Sequence, residues 1–177
     1  MKQIIYPILR LLCTSLCLLS LATTHTFAAD IQSWDKQINN GNKRFKVLSR
    51  FADQAVLDKE TQLVWMIEPF GSTIWFNARF LCAEAKVGNR MGWRLPSLSE
   101  FTSLLDPNNF DPALSDNHPF IGVSSSIFWT ATVTTGSIAP LAAWAVDVTQ
   151  GQVHFAMPIN NNRRTWCVRG QGSLASY

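Results

Sequence analysis

The sequence has few of the residues that form catalytic centres. Beyond residue 28 it contains two histidines, His118 and His154, and two cysteines, Cys82 and Cys167. An iron centre needs a cluster of histidines with a carboxylate, and a cysteine enzyme needs a free thiol beside an activating group. His154 lies in an alternating segment, where a lone histidine is more often a surface residue than a general base. We therefore expect no catalytic site and no cofactor.

The sequence also has no large excess of charge of one sign and no long apolar run. The chain carries 15 basic and 12 acidic residues, and removing residues 1–28 takes away only two of the basic ones. A near-neutral chain has no general attraction for nucleic acid, so we do not expect nucleic acid as a partner. The apolar run Leu11–Ala22 is shorter than the ~20 residues of a membrane-spanning helix. No membrane span is expected in the exported chain.

Residues 1–28 have the pattern of a secretory signal peptide. Basic residues precede the apolar run, and the small residues Ala28 and Ala29 follow it. We expect cleavage after one of these alanines and a product that is periplasmic or secreted to the cell surface. A lipid anchor at Cys17 is the alternative, but Leu16 occupies a position that favours a small residue.

The two cysteines that remain after cleavage are expected to form one disulfide. An even number of cysteines in an exported chain favours pairing, and a Cys82–Cys167 bond would join the middle of the chain to its end. One reactive thiol is the alternative. The remaining length suits a single domain. We divide the sequence into a signal peptide at 1–28, a polar leader at 29–43, a domain at 44–170 and a tail at 171–177.

The segment Gly92–Ser97 is predicted to end a strand and begin a helix. Ser97 and Glu100 have the spacing of a capping box, in which each side chain accepts a hydrogen bond from a free backbone N–H. Arg94 lies between two large apolar residues, so we expect it to pair with a carboxylate or with backbone carbonyls in a buried corner rather than to bind a ligand. This structural motif comprises Trp93, Arg94, Leu95 and Pro96.

Hydrophobic spacing predicts a second helix and several short strands. The helix is expected to be capped by Ser72 or Thr73 and closed by Gly88, with an inward face of Trp75, Ala78, Cys82 and Ala85. Strands are expected at 45–51, 55–57, 63–66, 127–132, 142–148, 153–157 and 165–169, the first three as an antiparallel meander. A long loop at 106–119 is rich in turn formers, and long ordered loops are often functional.

Six short motifs follow one another along the chain: Leu57-Asp58 with Thr61-Gln62-Leu63-Val64-Trp65, Trp75 with Ala78 and Cys82, Gly92-Trp93-Arg94-Leu95-Pro96-Ser97, Phe128-Trp129-Thr130-Ala131, Ala143-Trp144-Ala145-Val146-Asp147, and Trp166-Cys167-Val168-Arg169. Their order resembles the Lcl C-terminal domain family over about residues 44–170. This is a family of bacterial exported domains named for the tail of a collagen-like adhesin. The resemblance implies an α+β fold similar to the C-type lectin fold, with two helices packed on short antiparallel strands and the chain ends close together.

Two features differ from the family pattern. Gln62 stands where the family usually has a glycine in the first hairpin, so a different turn type is expected there. No collagen-like Gly-x-y tract precedes the domain, which argues against a collagen-driven trimer.

Calcium is considered because lectin-like folds often bind sugar through this ion, which takes six to eight oxygen ligands. The Glu-Pro-Asn tripeptide of sugar-binding C-type lectins is absent. Asp106, Asp111 and Asp116 supply oxygens in the long loop. Short Asp and Asn side chains also build turns by bonding to their own backbone, so turn formation is the favoured interpretation and calcium the alternative.

Basic residues are the remaining candidates for ligand binding. Arg163 and Arg164 follow three asparagines at a predicted loop tip, where they would pair with sulfate or carboxylate groups of an acidic glycan. Lys86 and Arg90 would extend such a patch if the fold brings them near. For these residues alone, a solvated turn whose charges keep the protein soluble is the favoured interpretation, and glycan binding is the alternative. Two tryptophans, Trp75 and Trp129, are expected in the core rather than stacked on sugars.

These observations favour an exported recognition domain without catalytic activity, which binds a surface polysaccharide or an acidic host glycan. The alternative is a structural or interaction module that binds another protein of the envelope or the host surface. A hydrolase or oxidoreductase with a site that the sequence does not reveal is a third interpretation. Fold resemblance carries most of this functional argument, and a fold does not fix a function.

Overall fold

The computed structural model describes residues 38–134 and 142–170, without the side chains of 155–158. The signal peptide, most of the polar leader and the tail at 171–177 lie outside the described residues. No helix in the described ranges has the length and apolar character that crossing a bilayer requires.

The described residues form a mixed α+β structure in which strands predominate. Its helices are α1 (Gly41–Arg44), α2 (Trp75–Glu84) and α3 (Leu98–Thr102), with a 3₁₀ turn at Ser49–Phe51. Its strands are β1 (Phe45–Val47), β2 (Ala55–Asp58), β3 (Val64–Met66), β4 (Phe70–Thr73), β5 (Ile127–Val133), β6 (Ala142–Asp147), β7 (Gln152–Pro158), β8 (Arg163–Thr165) and β9 (Val168–Arg169).

The first sheet has the strand order β1-β2-β3-β9, and all its pairs are antiparallel. The predicted meander is therefore confirmed. Its first strand ends at Val47 rather than at residue 51, because the chain turns through the 3₁₀ segment and the left-handed residues Ala52 and Asp53. Gln62 also has a left-handed backbone (φ +60°), so the hairpin keeps the conformation that a glycine would favour.

The second sheet has the order β4-β8-β5-β6-β7, in which β5 and β8 are parallel and the other pairs antiparallel. The predicted last strand at 165–169 is divided between the two sheets. Thr165 ends β8 and Val168 begins β9, while Trp166 and Cys167 lie between them. Both intervening residues are fully buried, so the chain crosses between the sheets inside the core.

Trp166 is at the centre of the aromatic core. Its ring contacts Trp65, Phe101, Phe120 and Phe128 at centroid distances of 4.9–5.7 Å. The indole N–H donates to the carbonyl of Met66, 2.8 Å away and 100 residues earlier in the chain. The crossing segment therefore connects the first sheet, α3 and the second sheet through one side chain.

Helix α2 buries the face that the sequence predicts, and a disulfide fastens it to the crossing segment. Trp75, Ala78 and Cys82 are buried. Cys82 is bonded to Cys167 with a Cα–Cα distance of 5.5 Å, which confirms the predicted pairing. The predicted serine or threonine cap is wrong: Ser72 and Thr73 belong to β4, and Ile74 occupies the cap position without a side-chain bond.

The capping box at the start of α3 is confirmed. Ser97 Oγ accepts from the Glu100 N–H at 3.2 Å, and Glu100 Oε2 accepts from the Ser97 N–H at 2.8 Å. Glu100 also receives two 2.7 Å hydrogen bonds from Arg94, which donates further to the carbonyl of Gly170. The Arg94 side chain is 42% exposed although Trp93 beside it is buried, so this corner is open on the arginine side.

A buried network of charged side chains, which was not predicted from the sequence, stabilises the β2–β3 hairpin. Arg44 donates to Asp58 through Nε at 3.0 Å and Nη2 at 2.8 Å, and to the carbonyl of Ser103 at 2.6 Å. Thr61 Oγ1 donates to the same carboxylate, and Glu60 lies 3.5 Å from Arg44 Nε. The network joins α1, the β2–β3 hairpin and the end of α3.

Candidate functional site

Three arginines from distant parts of the chain surround one phenylalanine ring. Arg50 and Phe51 lie in the 3₁₀ turn after β1, Arg90 follows α2, and Arg169 ends β9. Their guanidinium carbons lie 5.6, 5.1 and 5.7 Å from the centroid of the Phe51 ring. Any two of the three guanidinium carbons are therefore closer together than the sum of their distances to the ring centroid. Contacts of this kind contribute about 0.5–1 kcal/mol each at exposed sites.

A close approach at Gly88 brings the turn that carries Arg90 against the turn that carries Phe51. Gly88 has φ +55°, and a Cβ atom built there would overlap the backbone of Phe51. Its N–H donates to Gln54 Oε1 at 2.9 Å. Arg90 Nε donates to the carbonyl of Arg50 at 3.1 Å. The arginine positions are thus fixed by the backbone as well as by the ring.

The arginines line a cavity of about 260 Å³. Its lining residues in the described part of the chain are Arg50, Phe51, Val64, Arg90, Arg169 and Gly170, and none of them carries a carboxylate. Nη1 of Arg169 is buried and has no hydrogen-bond partner within the described ranges. The ion pairs found among the described residues involve Arg44, Arg94 and His154, but not these three arginines. An anion that enters the cavity meets three positive charges and, among the described residues that line it, no carboxylate.

Arg163 and Arg164 do not form a loop tip. Both belong to β8, where Arg163 is opposite Thr73 and Arg164 is opposite Ser72. Successive residues of a strand point to opposite faces, so the two guanidinium groups are directed to different sides of the sheet. The guanidinium carbon of Arg164 lies 5.3 Å from the centroid of the Phe128 ring. The same guanidinium group donates to the carbonyl of Gly122 and to Ser126 Oγ. Much of its donor capacity is used inside the domain.

Of the four basic candidates, Arg90 alone lines the arginine cavity. Lys86 is exposed just after α2 and is not among the lining residues. Sequence reasoning missed Arg50 and Arg169 because nothing local relates them. The available signal is weak: each of Arg50 and Arg90 stands near an aromatic residue, but the convergence depends on the contact of two turns and on the pairing of β9 with β3.

Of the three candidate calcium ligands, two accept hydrogen bonds within the protein and the third is exposed. Asp106 is buried and accepts from the backbone and side-chain amides of Asn108. Asp111 accepts from the N–H and hydroxyl of Ser125, whereas Asp116 is exposed. No group of three or more His, Cys, Asp or Glu side chains suited to a metal ion occurs among the residues that the structure describes.

Trp75 and Trp129 belong to the core, as expected. Both are buried, and each indole N–H donates to a backbone carbonyl: Trp75 to Thr130 at 2.8 Å, and Trp129 to Thr73 at 2.9 Å. Neither ring presents a free face for a sugar.

Comparison with known proteins places the chain in a family. No curated protein matches the sequence. The model of the Lcl C-terminal domain matches residues 54–169, which include the disulfide, α2, α3, most of both sheets and two of the three clustered arginines. The chain therefore belongs to the Lcl C-terminal domain family.

Proposed function

We propose that this protein is an exported recognition domain without catalytic activity, and that it binds acidic glycans at the arginine cavity. The observation that carries the proposal is the convergence of Arg50, Arg90 and Arg169 on Phe51 without a carboxylate among the lining residues. Like charges held together repel one another, at about 2 kcal/mol for a pair 8 Å apart in an effective dielectric of 20. A bound anion relieves that repulsion.

The surrounding architecture supports this proposal in two ways. We propose that the fold is C-type lectin-like, since two main helices pack with two sheets of short strands and a disulfide joins α2 to the end of the domain. A disulfide is typical of the periplasm and the cell surface, and this supports export. Acidic polysaccharides and glycans are encountered in those compartments.

Retention of the oxidised protein on heparin across a salt gradient tests the proposal. The variants Arg50→Gln, Arg90→Gln and Arg169→Gln each remove one charge from the cavity and keep part of the side chain. A hydrogen bond to a charged group contributes about 1.5–3 kcal/mol, so each variant is expected to weaken binding about tenfold or more. The variants should elute at lower salt than the wild type.

Arg79→Gln is the matched control. Arg79 also stacks on an aromatic ring, that of Trp75 at 4.9 Å, but it lies on α2 and does not line the cavity. Equal elution of the wild type, the control and all three cavity variants would reject the arginine site. A loss confined to an Arg163→Gln, Arg164→Gln double variant would move the site to β8.

An exposed apolar face on α2 favours a second candidate function, a module that binds another envelope protein. Phe76, Phe80 and Leu81 are exposed, with 64% of Phe80 accessible. Packed apolar interfaces are largely insensitive to salt, whereas binding of an acidic glycan weakens as salt rises. Binding to cell envelopes that persists at high salt and is lost in Phe80→Ser would favour this second function.

A further inference from the structure

A second cavity lies in the long loop between α3 and β5, and the loop around it is firmly held. The Asp106 N–H donates to the carbonyl of Ala113 at 2.9 Å, and Asn109 Nδ2 donates to that of Leu114 at 2.6 Å. The Ala113 N–H donates to the carbonyl of Val148, beyond the end of β6. A ligand would therefore meet an ordered surface, which lowers the entropic cost of binding.

The far wall of this cavity is fixed by the start of α1. The Gly41 N–H donates to the carbonyl of Asp116 at 2.9 Å, and the backbones approach so closely that a Cβ at Gly41 would overlap this carbonyl. Asn117 follows with φ +60°, a conformation that asparagine tolerates better than most residues. The side chains of Asp116 and Asn117 are thus presented from a rigid backbone.

The cavity has a volume of about 190 Å³, with Phe110 at its rim. This volume holds about six water molecules at about 30 Å³ each. It suits a ligand with one small ring rather than an oligomer of several rings. The Phe110 side chain is 69% exposed. An aromatic ring left open beside a polar cavity offers an apolar face next to hydrogen-bonding groups.

The polar groups of the cavity have unused hydrogen-bonding capacity. The carboxylate of Asp116 and the amide of Asn117 make no hydrogen bond to other described residues, and Nδ1 of His118 is buried without a partner there. Burial holds the pKa of His118 below its ordinary 6.5, against the opposing effect of Asp116, so the imidazole is neutral at neutral pH. The set therefore combines a carboxylate acceptor, an amide with both functions and a neutral ring nitrogen.

We propose that this cavity binds one neutral sugar ring, with Phe110 stacked against the apolar face of the ring and Asp116 and Asn117 bonded to adjacent hydroxyls. A hydroxyl both donates and accepts, so a carboxylate and an amide side by side match a vicinal diol. The lining residues include a carboxylate and no Lys or Arg, which disfavours acidic sugars. The proposal does not rest on the arginine site, because the two cavities share no lining residue.

Saturation-transfer NMR on the oxidised protein tests this proposal with methyl glycosides of glucose, galactose, mannose and N-acetylglucosamine, and with glucuronic acid as the acidic counterpart. At least one neutral glycoside is expected to bind with a Kd in the millimolar range, whereas any binding of glucuronic acid should occur at the arginine cavity and be unchanged by Phe110→Ala. Phe110→Ala should reduce affinity about three- to tenfold, the loss of one aromatic contact. Asp116→Asn should also reduce it.

Ile121→Ala is the matched control, because Ile121 is also an exposed apolar residue (54%) but does not line the cavity. It should bind like the wild type. Amide spectra of each variant establish that the fold is intact. The proposal is overturned if no neutral glycoside binds, if Phe110→Ala weakens glucuronic acid binding as much as neutral sugar binding, or if Phe110→Ala and Ile121→Ala have the same effect.

Discussion

Replacing Asp58 by asparagine tests whether the buried charged network holds the first sheet. The Asp58 carboxylate is fully buried and accepts two hydrogen bonds from Arg44, itself 2% exposed. Asparagine preserves the size but leaves the guanidinium without its main counter-charge, and breaking one side of a buried pair costs about 3–5 kcal/mol. Glu60 lies 3.5 Å from Arg44 Nε and compensates in part. We therefore expect the free energy of unfolding to fall by about 3 kcal/mol, the lower end of that range.

Urea and thermal unfolding of the oxidised protein measure this loss. For a chain of this length, about 3 kcal/mol lowers Tm by about 6–12 °C. The control is Asp53→Asn, an exposed acidic residue outside the ion pairs found among the described residues, for which we expect a change within about 0.5 kcal/mol. An Arg44→Met, Asp58→Leu variant removes both charges and should regain part of the stability, since the Ser103 carbonyl and the Thr61 hydroxyl still lose their partners. A loss below about 1 kcal/mol in Asp58→Asn would refute the reasoning.

Three further changes test other parts of the fold. Replacing both bridged cysteines by serine should lower the free energy of unfolding by about 4 kcal/mol, measured in urea without reductant. Gly88→Ala should cost about 1–3 kcal/mol of stability, because the alanine would have to adopt the left-handed backbone of Gly88 and its Cβ would clash with Phe51. Gly71→Ala is the control, since open space surrounds Gly71. Equal Tm values for the two variants would contradict the prediction. For Glu100, burial raises the pKa, but hydrogen bonds from Arg94 and the backbone outweigh it and hold the pKa below 4.5. The stability that this carboxylate provides is present above pH 4.5 and is lost as pH falls through its folded pKa. Glu100→Gln should therefore make the free energy of unfolding less dependent on pH in the acid range. An unchanged pH dependence would argue against the pairing of Glu100 with Arg94.

Local patterns predicted the parts of the fold that depend on neighbouring residues. The capping box works because Ser97 and Glu100 are three residues apart, and the buried face of α2 follows from helical spacing. The disulfide followed from the number of cysteines left after the predicted signal peptide. Each of these rests on spacing or counting, which the sequence displays directly.

The candidate site depends on long-range arrangements that spacing does not display. Arg50, Arg90 and Arg169 are far apart in sequence and meet because β9 joins the first sheet beside β3 and Gly88 allows a close approach. The prediction for Arg163 and Arg164 assumed a loop, but their pairing with β4 places them inside a sheet. The asparagines do take part in a turn at 159–161, but β8 begins just after it at Arg163, which the turn signal alone does not indicate.

The crossing at Trp166–Cys167 has a consequence for the order in which the chain folds. Both sheets obtain a strand from residues 163–169, and the disulfide and the central tryptophan also come from this segment. A chain that is still being synthesised, or that is cut before residue 163, lacks all four at once. Folding of the domain should therefore be all-or-none and late, so that truncated chains remain open to proteases while the finished domain resists them.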